Sequence, residues 1–416
     1  MSPALHLFEP GEERTEPAAA PAAEAAARTA VLRLDLMQFR SFPSLRLELE
    51  PRAVVLTGAN GAGKTNLLEA ISFLAPGRGL RRARLAEPTL RAPGIADPAG
   101  AWAVAARIET PTGVVALGTG RVPGEGGPST GSRGDGRRVE RRVVHVDGAP
   151  ARSQASLAEH LAVQWLVPEM DRLFDGPAAA RRRFLDRIAS GFDPAHAARL
   201  AGYEHALRER ARLLAAGGAD PAWLGALEER MAELGVALAA TRRESLGRLM
   251  RAGAAAPPPF PTAALALGGE FAAALEAEPA LAVEERLRRA LRDNRAVDAL
   301  TGGAAAGPHH SDLLVTHVEN GRPVRDCSTG EQKALLVGLV LAAARAATAV
   351  SGRPPLLLLD EGAAHLDEPR RAALFAALAL HPGQAWLAGA DRNLFAPLAG
   401  RAQFLSVFPG KVLPHG

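Results

Sequence analysis

A single cysteine, Cys327, in 416 residues rules out a disulfide within the chain and suits a reducing compartment. Aromatic residues make up only 4% of the sequence, so stacking on exposed nucleic-acid bases is not advertised. No run of 18 or more residues is apolar and free of charge and proline, and no basic-then-apolar leader opens the chain. These absences predict a cytoplasmic protein that does not work in a membrane. Lysine is scarce too: Lys64, Lys333 and Lys411 are the only three among 49 basic side chains. Where nearly every cation is arginine, a lysine points to a need for a compact ammonium. The formal charge of +4 permits an anionic partner but, over this length, does not demand one.

What is present starts with 47% hydrophobic residues, ample for a packed core and for roughly two to four domains. Residues 1–29, rich in Ala, Pro and Glu, predict a disordered tail. Alternating apolar and polar residues over 31–39 and 45–50 predict a hairpin leading to a buried strand at 54–57, and further strands are expected at 101–109, 113–118, 141–148 and 163–168. Residues 120–136 have the composition of a surface loop.

Helical spacing runs from 177 to 215, 221 to 252 and 281 to 300, with a Pro-rich break at 256–261. Gly202, Gly217, Gly218 and Pro221 interrupt it and no heptad persists, which excludes a long coiled-coil rod. Strand signals then return, with a hairpin turn at Asn320-Gly321, a helix at 329–349, a buried strand at 355–359, a helix at 368–380 and a strand at 384–388. The expected organisation is an α/β head built from both ends of the chain, 30–175 and 305–416, around a helical lobe at 176–304.

Three stretches carry chemistry. In VVLTGANGAGKTNLLEAISFL (54–74) an apolar strand, a glycine-rich turn and a helix follow in order, and the turn reads Gly58-x-x-x-x-Gly63-Lys64-Thr65. Such a loop converges backbone N–H groups on phosphate oxygens at a helix N-terminus, with Lys64 placed for the β- and γ-phosphates and Thr65 for Mg2+. In PPLLLLDEG (354–362) a buried strand ends in Asp360, a candidate Mg2+ ligand, and Glu361, a candidate base for an attacking water. In CSTGEQKALL (327–336) Ser328 and Gly330 open a helix with Glu331 in its first turn; this is a good N-cap and also the pattern of a phosphate site.

Together with FRSFPSLRLEL (39–49), PGRGLRRAR (76–84), ARRRFLDR (180–187), GPHHSDLL (307–314) and HLD at 365–367, these motifs resemble the RecF family of SMC-like ATP-binding-cassette heads over residues 31 to about 395. The resemblance implies an ABC-type P-loop ATPase head, ATP and Mg2+ as cofactors, and a loop in which Gly58, Asn60, Gly61, Gly63, Lys64, Thr65 and Asn66 hold the nucleotide. It implies an ATP-dependent homodimer in which Ser328 and Gly330 reach the γ-phosphate on the partner's Lys64 loop, with Asp367 at the interface. It further implies slow, DNA-stimulated hydrolysis, DNA backbone contacts at single-strand/duplex junctions, RecR and RecO mediators, RecA loading at gaps and a link to the SOS response.

Some positions depart from the family pattern. His310 replaces an expected Arg, Ala388 and Ala390 occupy a segment where a Thr or His sensor is common, and Gly362 replaces Val. These bear on turnover rather than on ATP binding, and leave as the alternative a nucleotide-binding DNA scaffold. A transporter subunit would call for a Q-loop Gln and a switch His; Gln164 is poorly placed and 385–391 has no His. For DNA phosphates the candidate cations are Arg81, Arg82 and Arg84, then Arg137, Arg138, Arg141 and Arg142, and Arg181, Arg182 and Arg183. The adjacent His309 and His310 lack a third ligand at metal-binding spacing.

Overall fold

A computed structural model describes residues 28–90, 100–122, 141–218, 220–254, 259–364 and 366–415. The expected hairpin is β1 (Ala30–Phe39) with β2 (Phe42–Glu48), antiparallel with Arg33 opposite Glu48. Next come the buried β3 (Ala53–Thr57) and helix α1 (Lys64–Ser72). They are followed by β4 (Trp102–Thr110), β5 (Gly113–Val122), β6 (Arg141–Val146), the short β7 (Ala149–Pro150) and β8 (Val163–Leu166).

The middle of the chain forms α2 (Ala178–Phe192), α3 (Ala195–Ala216), α4 (Pro221–Ala254), β9 (Ala263–Gly268), α5 (Glu270–Ala277), α6 (Ala280–Asp293), α7 (Arg295–Thr301) and β10 (Asp312–His317). The C-terminal part adds α8 (Thr329–Ser351), β11 (Leu356–Asp360), α9 (Glu368–Leu380), β12 (Ala385–Gly389), β13 (Ala402–Phe408) and β14 (Lys411–Pro414).

Two compact units result. The first joins residues 1–168 to 347–416, so both ends of the chain build one body, and the second is 169–346. By this division 305–346 goes with the helical unit, whereas sequence reasoning grouped 305–416 with the head. In the first unit one sheet has the order β2-β1-β4-β5-β6-β7 and is antiparallel throughout. The other, β14-β13-β3-β12-β11-β8, is parallel except for β14. The Leu run of β11 is buried on both faces, as a central parallel strand requires. Phe39, Phe73 and Trp102 meet at centroid distances of 5.1–6.0 Å, concentrating scarce aromatic area beside α1.

Several expectations change. The helical run 177–215 is two helices, broken at Asp193-Pro194, and 281–300 is split at Asn294. Neither β9 nor α5 was expected. The segment AALALG is a strand because β10 supplies its ladder, with Ala266 opposite Leu314, a partner far away in sequence. The Asn320-Gly321 turn forms, with Gly321 at a φ of 68°, but an isolated bridge, Thr316 to Pro323, replaces the second hairpin strand. The tail falls outside the described residues up to 27, and Thr29, grouped with it, bonds Pro382 O and accepts from Gln384 N. Residues 120–122 belong to β5; the rest of the expected loop lies outside the described residues. Helix α8 is long and apolar enough to span a membrane, yet 72% of its most apolar window is buried inside the protein, the mark of a core helix.

Candidate nucleotide-binding site

The loop from Gly58 to Thr65 is shaped by positions only glycine can hold. A Cβ on Gly58, whose φ is 150°, would lie 2.3 Å from the Val407 carbonyl oxygen; on Gly63, at 112°, it would press on Ser41 Oγ at 2.9 Å. Ala59, Asn60 and Gly61 are exposed, and α1 begins at Gly63 without a side-chain cap or an acidic residue in its first turn. The positive end of that helix is therefore open to an anion. The Lys64 ammonium donates to Gly58 O at 2.6 Å and Ala59 O at 2.9 Å. Burial pulls its pKa down, and the Asp360 and Glu361 carboxylates offset part of that.

Parallel pairing brings the second motif to the same sheet edge. β12 lies between β3 and β11, with Thr57 opposite Gly389 and Ala388 opposite Asp360, so the residues following β3 and β11 emerge together. Thr65 Oγ1 donates to Asp360 Oδ2 at 2.6 Å across 295 residues of sequence. A hydroxyl and a carboxylate sharing one point form a hard-oxygen donor pair of the kind Mg2+ takes, and the glycine cradle beside it fits a polyphosphate. Glu361 has a φ of 51°, an unfavourable value for a residue with a Cβ, and its N–H is held by Ala388 O at 2.9 Å.

The departures from the family pattern now have surroundings. Ala388 is buried opposite Asp360 and Ala390 is exposed, so neither methyl offers a phosphate a hydrogen bond. A Cβ on Gly362 would lie 3.1 Å from Leu359 Cβ and 3.4 Å from a Leu166 methyl, which explains why a small residue follows the acidic pair here. Gln164 is buried inside β8 opposite Leu357, short of the strand end a Q-loop residue would need.

Sequence reasoning gave no role to Glu69. It is fully buried on α1, accepts from Arg40 Nη2 and Nε at 2.6 and 2.8 Å, and accepts from Arg81 at 3.1 Å. Arg81 also donates to Asn66 Oδ1 at 2.7 Å, and Asn66 donates to Ser41 Oγ at 2.9 Å. Asn66, expected at the nucleotide, is thus committed to a network behind the loop. The available signal was a carboxylate on the apolar face of LLEAIS, which no solvated helix places there.

Ser328 and Gly330 lie in the second unit and are exposed. Ser328 is a reciprocal cap on α8: its N–H and Oγ donate to Glu331 Oε2 at 2.8 and 2.7 Å, and Glu331 N–H returns to Ser328 Oγ at 3.3 Å. Asp367 caps α9 through Arg370 N at 2.9 Å, and its neighbour His365 lies outside the described residues.

The GPHHSD stretch is consumed by its own unit. His309 Nδ1 meets the Tyr203 hydroxyl at 2.7 Å, and His309 Nε2 and His310 Nε2 each meet Ala304 O at 2.9 Å. Burial pushes the His309 pKa down to about 4, the value of a neutral ring. Among the described residues no group of three or more His, Cys, Asp or Glu side chains is placed to hold a metal. Arg242 joins Pro308 O to the buried Asp186, which His196 also meets; burial pushes the Asp186 carboxyl up, but these two partners outweigh it and hold it below its ordinary value.

The arginine clusters thin out as well. Arg142 donates to the carbonyls of Phe73 and Gly77 at the end of α1, so it is spent as a cap. Arg181 pairs with Asp312 at 2.8 Å and Arg182 donates to Ser311 O at 2.7 Å. Arg82, Arg84, Arg141 and Arg183 are exposed, while Arg137 and Arg138 lie outside the described residues.

Residues 33–95 match an AAA domain family model. The chain is 50% identical over 391 residues to the DNA replication and repair protein RecF of Mesorhizobium japonicum, covering 93% of this chain and 98% of that protein. It is 46% identical over 390 residues to the protein of the same name from Agrobacterium fabrum, covering 92% and 98%. Among solved structures it resembles the recombination mediator protein RecF-ATPrS in the RecFOR pathway, with a TM-score of 0.76 at 20% identity, covering 95% of this chain and 100% of that one. An Smc head domain from Pyrococcus furiosus gives 0.51 at 16% identity, covering 93% and 96%. At such identities the likeness speaks to the fold: an ABC-type ATPase head with an inserted lobe.

Proposed function

This chain belongs to the RecF family, and from that premise we propose that it is a DNA replication and repair protein in which ATP binding works as a switch. The observation that carries the proposal is the 2.6 Å contact of Thr65 with Asp360 beside the Lys64 loop, two motifs meeting as a phosphate-and-Mg2+ site needs. Gly58, Asn60, Gly61 and Gly63 would present backbone to the phosphates, Lys64 would exchange its own loop carbonyls for phosphate oxygens, and Thr65 and Asp360 would hold the metal. When bound, Mg2+ supplies positive charge against the phosphate oxygens. Glu361 then orients a water and takes its proton at a carboxylate oxygen.

Ser328 and Gly330 of a second copy complete the site at the γ-phosphate and Asp367 takes part in the interface between copies, so ATP favours the homodimer by mass action. The dimer contacts DNA backbone through exposed arginines, prefers single-strand/duplex junctions, cooperates with RecR- and RecO-like mediators to load RecA, and acts in the cytoplasm, within the SOS response. Gel filtration with ATP and Mg2+ tests the switch: the parent should dimerise and Glu361→Gln should trap the dimer, while a parent that stays monomeric on and off DNA sinks it. Ala388 opposite Asp360 favours a second reading, a scaffold with little turnover, for which phosphate release with DNA would stay at background.

A further inference from the structure

Lys333 stands apart from the other basic residues of the second unit. It is one of three lysines in the chain and it is buried, 7% exposed, in the second turn of α8, next to the turn that opens with Ser328. Its ammonium meets Asp171 Oδ2 at 3.1 Å. The adjacent Gln332, also buried, donates to Asp175 Oδ1 at 3.3 Å and to the Cys327 carbonyl at 3.2 Å. Two consecutive side chains therefore tie the start of α8 to the segment 171–175. That tie is separate from the Ser328–Glu331 cap, which orders the turn internally but fixes it to nothing else.

We propose that Lys333 and Asp171 form a positioning clamp for Ser328, setting where the signature turn can meet a nucleotide held by a second copy. This deepens the dimer reading and rests on it. The buried partner is the ammonium: the Lys333 side chain is 9% exposed and that of Asp171 37%, and among the described residues Asp171 Oδ1 is shielded without a hydrogen-bond partner while Oδ2 takes the Lys333 charge. Removing the carboxylate leaves the buried Lys333 ammonium uncompensated, and removing either charge frees the segment to move; removing both relieves the first fault but not the second.

The test uses the full chain with Lys333→Met, which keeps the buried stem, Asp171→Asn, the double variant and Lys333→Arg. Each single variant should bind a fluorescent ATP analogue within about twofold of the parent, since Lys64 and Asp360 are untouched, while ATP-dependent dimerisation weakens at least about tenfold. The double variant should be no worse than Lys333→Met, and Lys333→Arg should recover part of the loss. Without nucleotide, amide exchange at 328–332 should quicken in Lys333→Met. Unchanged exchange together with parental dimerisation overturns the clamp, as does an equal loss of nucleotide binding and dimerisation. If exchange quickens but the parent itself never dimerises with ATP, the joint stands as a structural one and the dimer reading falls.

Discussion

The loop at Gly58–Thr65 and the segment Ala304–Asp312 are both led by glycines held by their surroundings, and they spend their hydrogen-bonding groups in opposite ways. A Cβ on Gly58 would strike the Val407 carbonyl, and one on Gly307 would lie 2.4 Å from the Tyr203 hydroxyl. Beyond that the two diverge. The loop leaves three exposed residues and an uncapped helix start. The other segment gives its polar groups to Asp298, Tyr203, Arg242, Arg182 and Arg181. Spare hydrogen-bonding capacity at a fixed backbone marks a binding site, and consumed capacity marks a joint.

The contrast breaks if damage to the joint lowers nucleotide affinity as much as stability. Arg242→Met removes both guanidinium hydrogen bonds from the buried Asp186 and leaves it the His196 contact, and should cost about 3–5 kcal/mol in denaturant unfolding with little change in ATP affinity where the protein stays folded. Lys64→Ala should do the reverse, weakening ATP about 100-fold by titration calorimetry while the melting temperature without nucleotide moves little.

A pH series sharpens the joint side. With its pKa at about 4 against an ordinary 6.5, His309 stays neutral in the folded state while the unfolded chain takes up a proton. Its contribution is present above pH 6.5 and is lost as pH falls from 6.5 toward 4. On the order of 2 kcal/mol should disappear over that window after allowing for partial solvation, and His309→Gln should flatten the slope. The smallest effect tests the loop side: Thr65→Val removes one hydroxyl from the Asp360 pair, and should cost about 1 kcal/mol of Mg2+-dependent nucleotide affinity, read by titrating ATP with and without the ion.

Much of the first unit was legible because its determinants are local. The Leu run of β11, the glycine spacing before Lys64 and the Asp367 cap of α9 each act within a few residues, and their elements form where expected. The helical unit was legible only in outline. The strand at 263–268 exists through pairing with 312–317, and the break at Asp193-Pro194 sits in a run whose composition stays helical on both sides. In GPHHSD and the arginine clusters, sequence shows that a side chain can bond or carry charge, not whether a neighbour has already claimed it. Arg142 and Arg181 look like surface cations in the text and serve as a helix cap and an ion-pair partner in the fold.

By itself, then, the sequence determined the strand, glycine turn and helix at 54–74, the buried acidic strand and the capped turn at Ser328, because these depend on residue type at short spacing. Tertiary structure decided that Thr65 meets Asp360 across 295 residues, that Glu69 lies buried between two arginines, and that Lys333 is held by Asp171. Those contacts join residues far apart in the chain, and their stability comes from burial and charge compensation that no local pattern encodes.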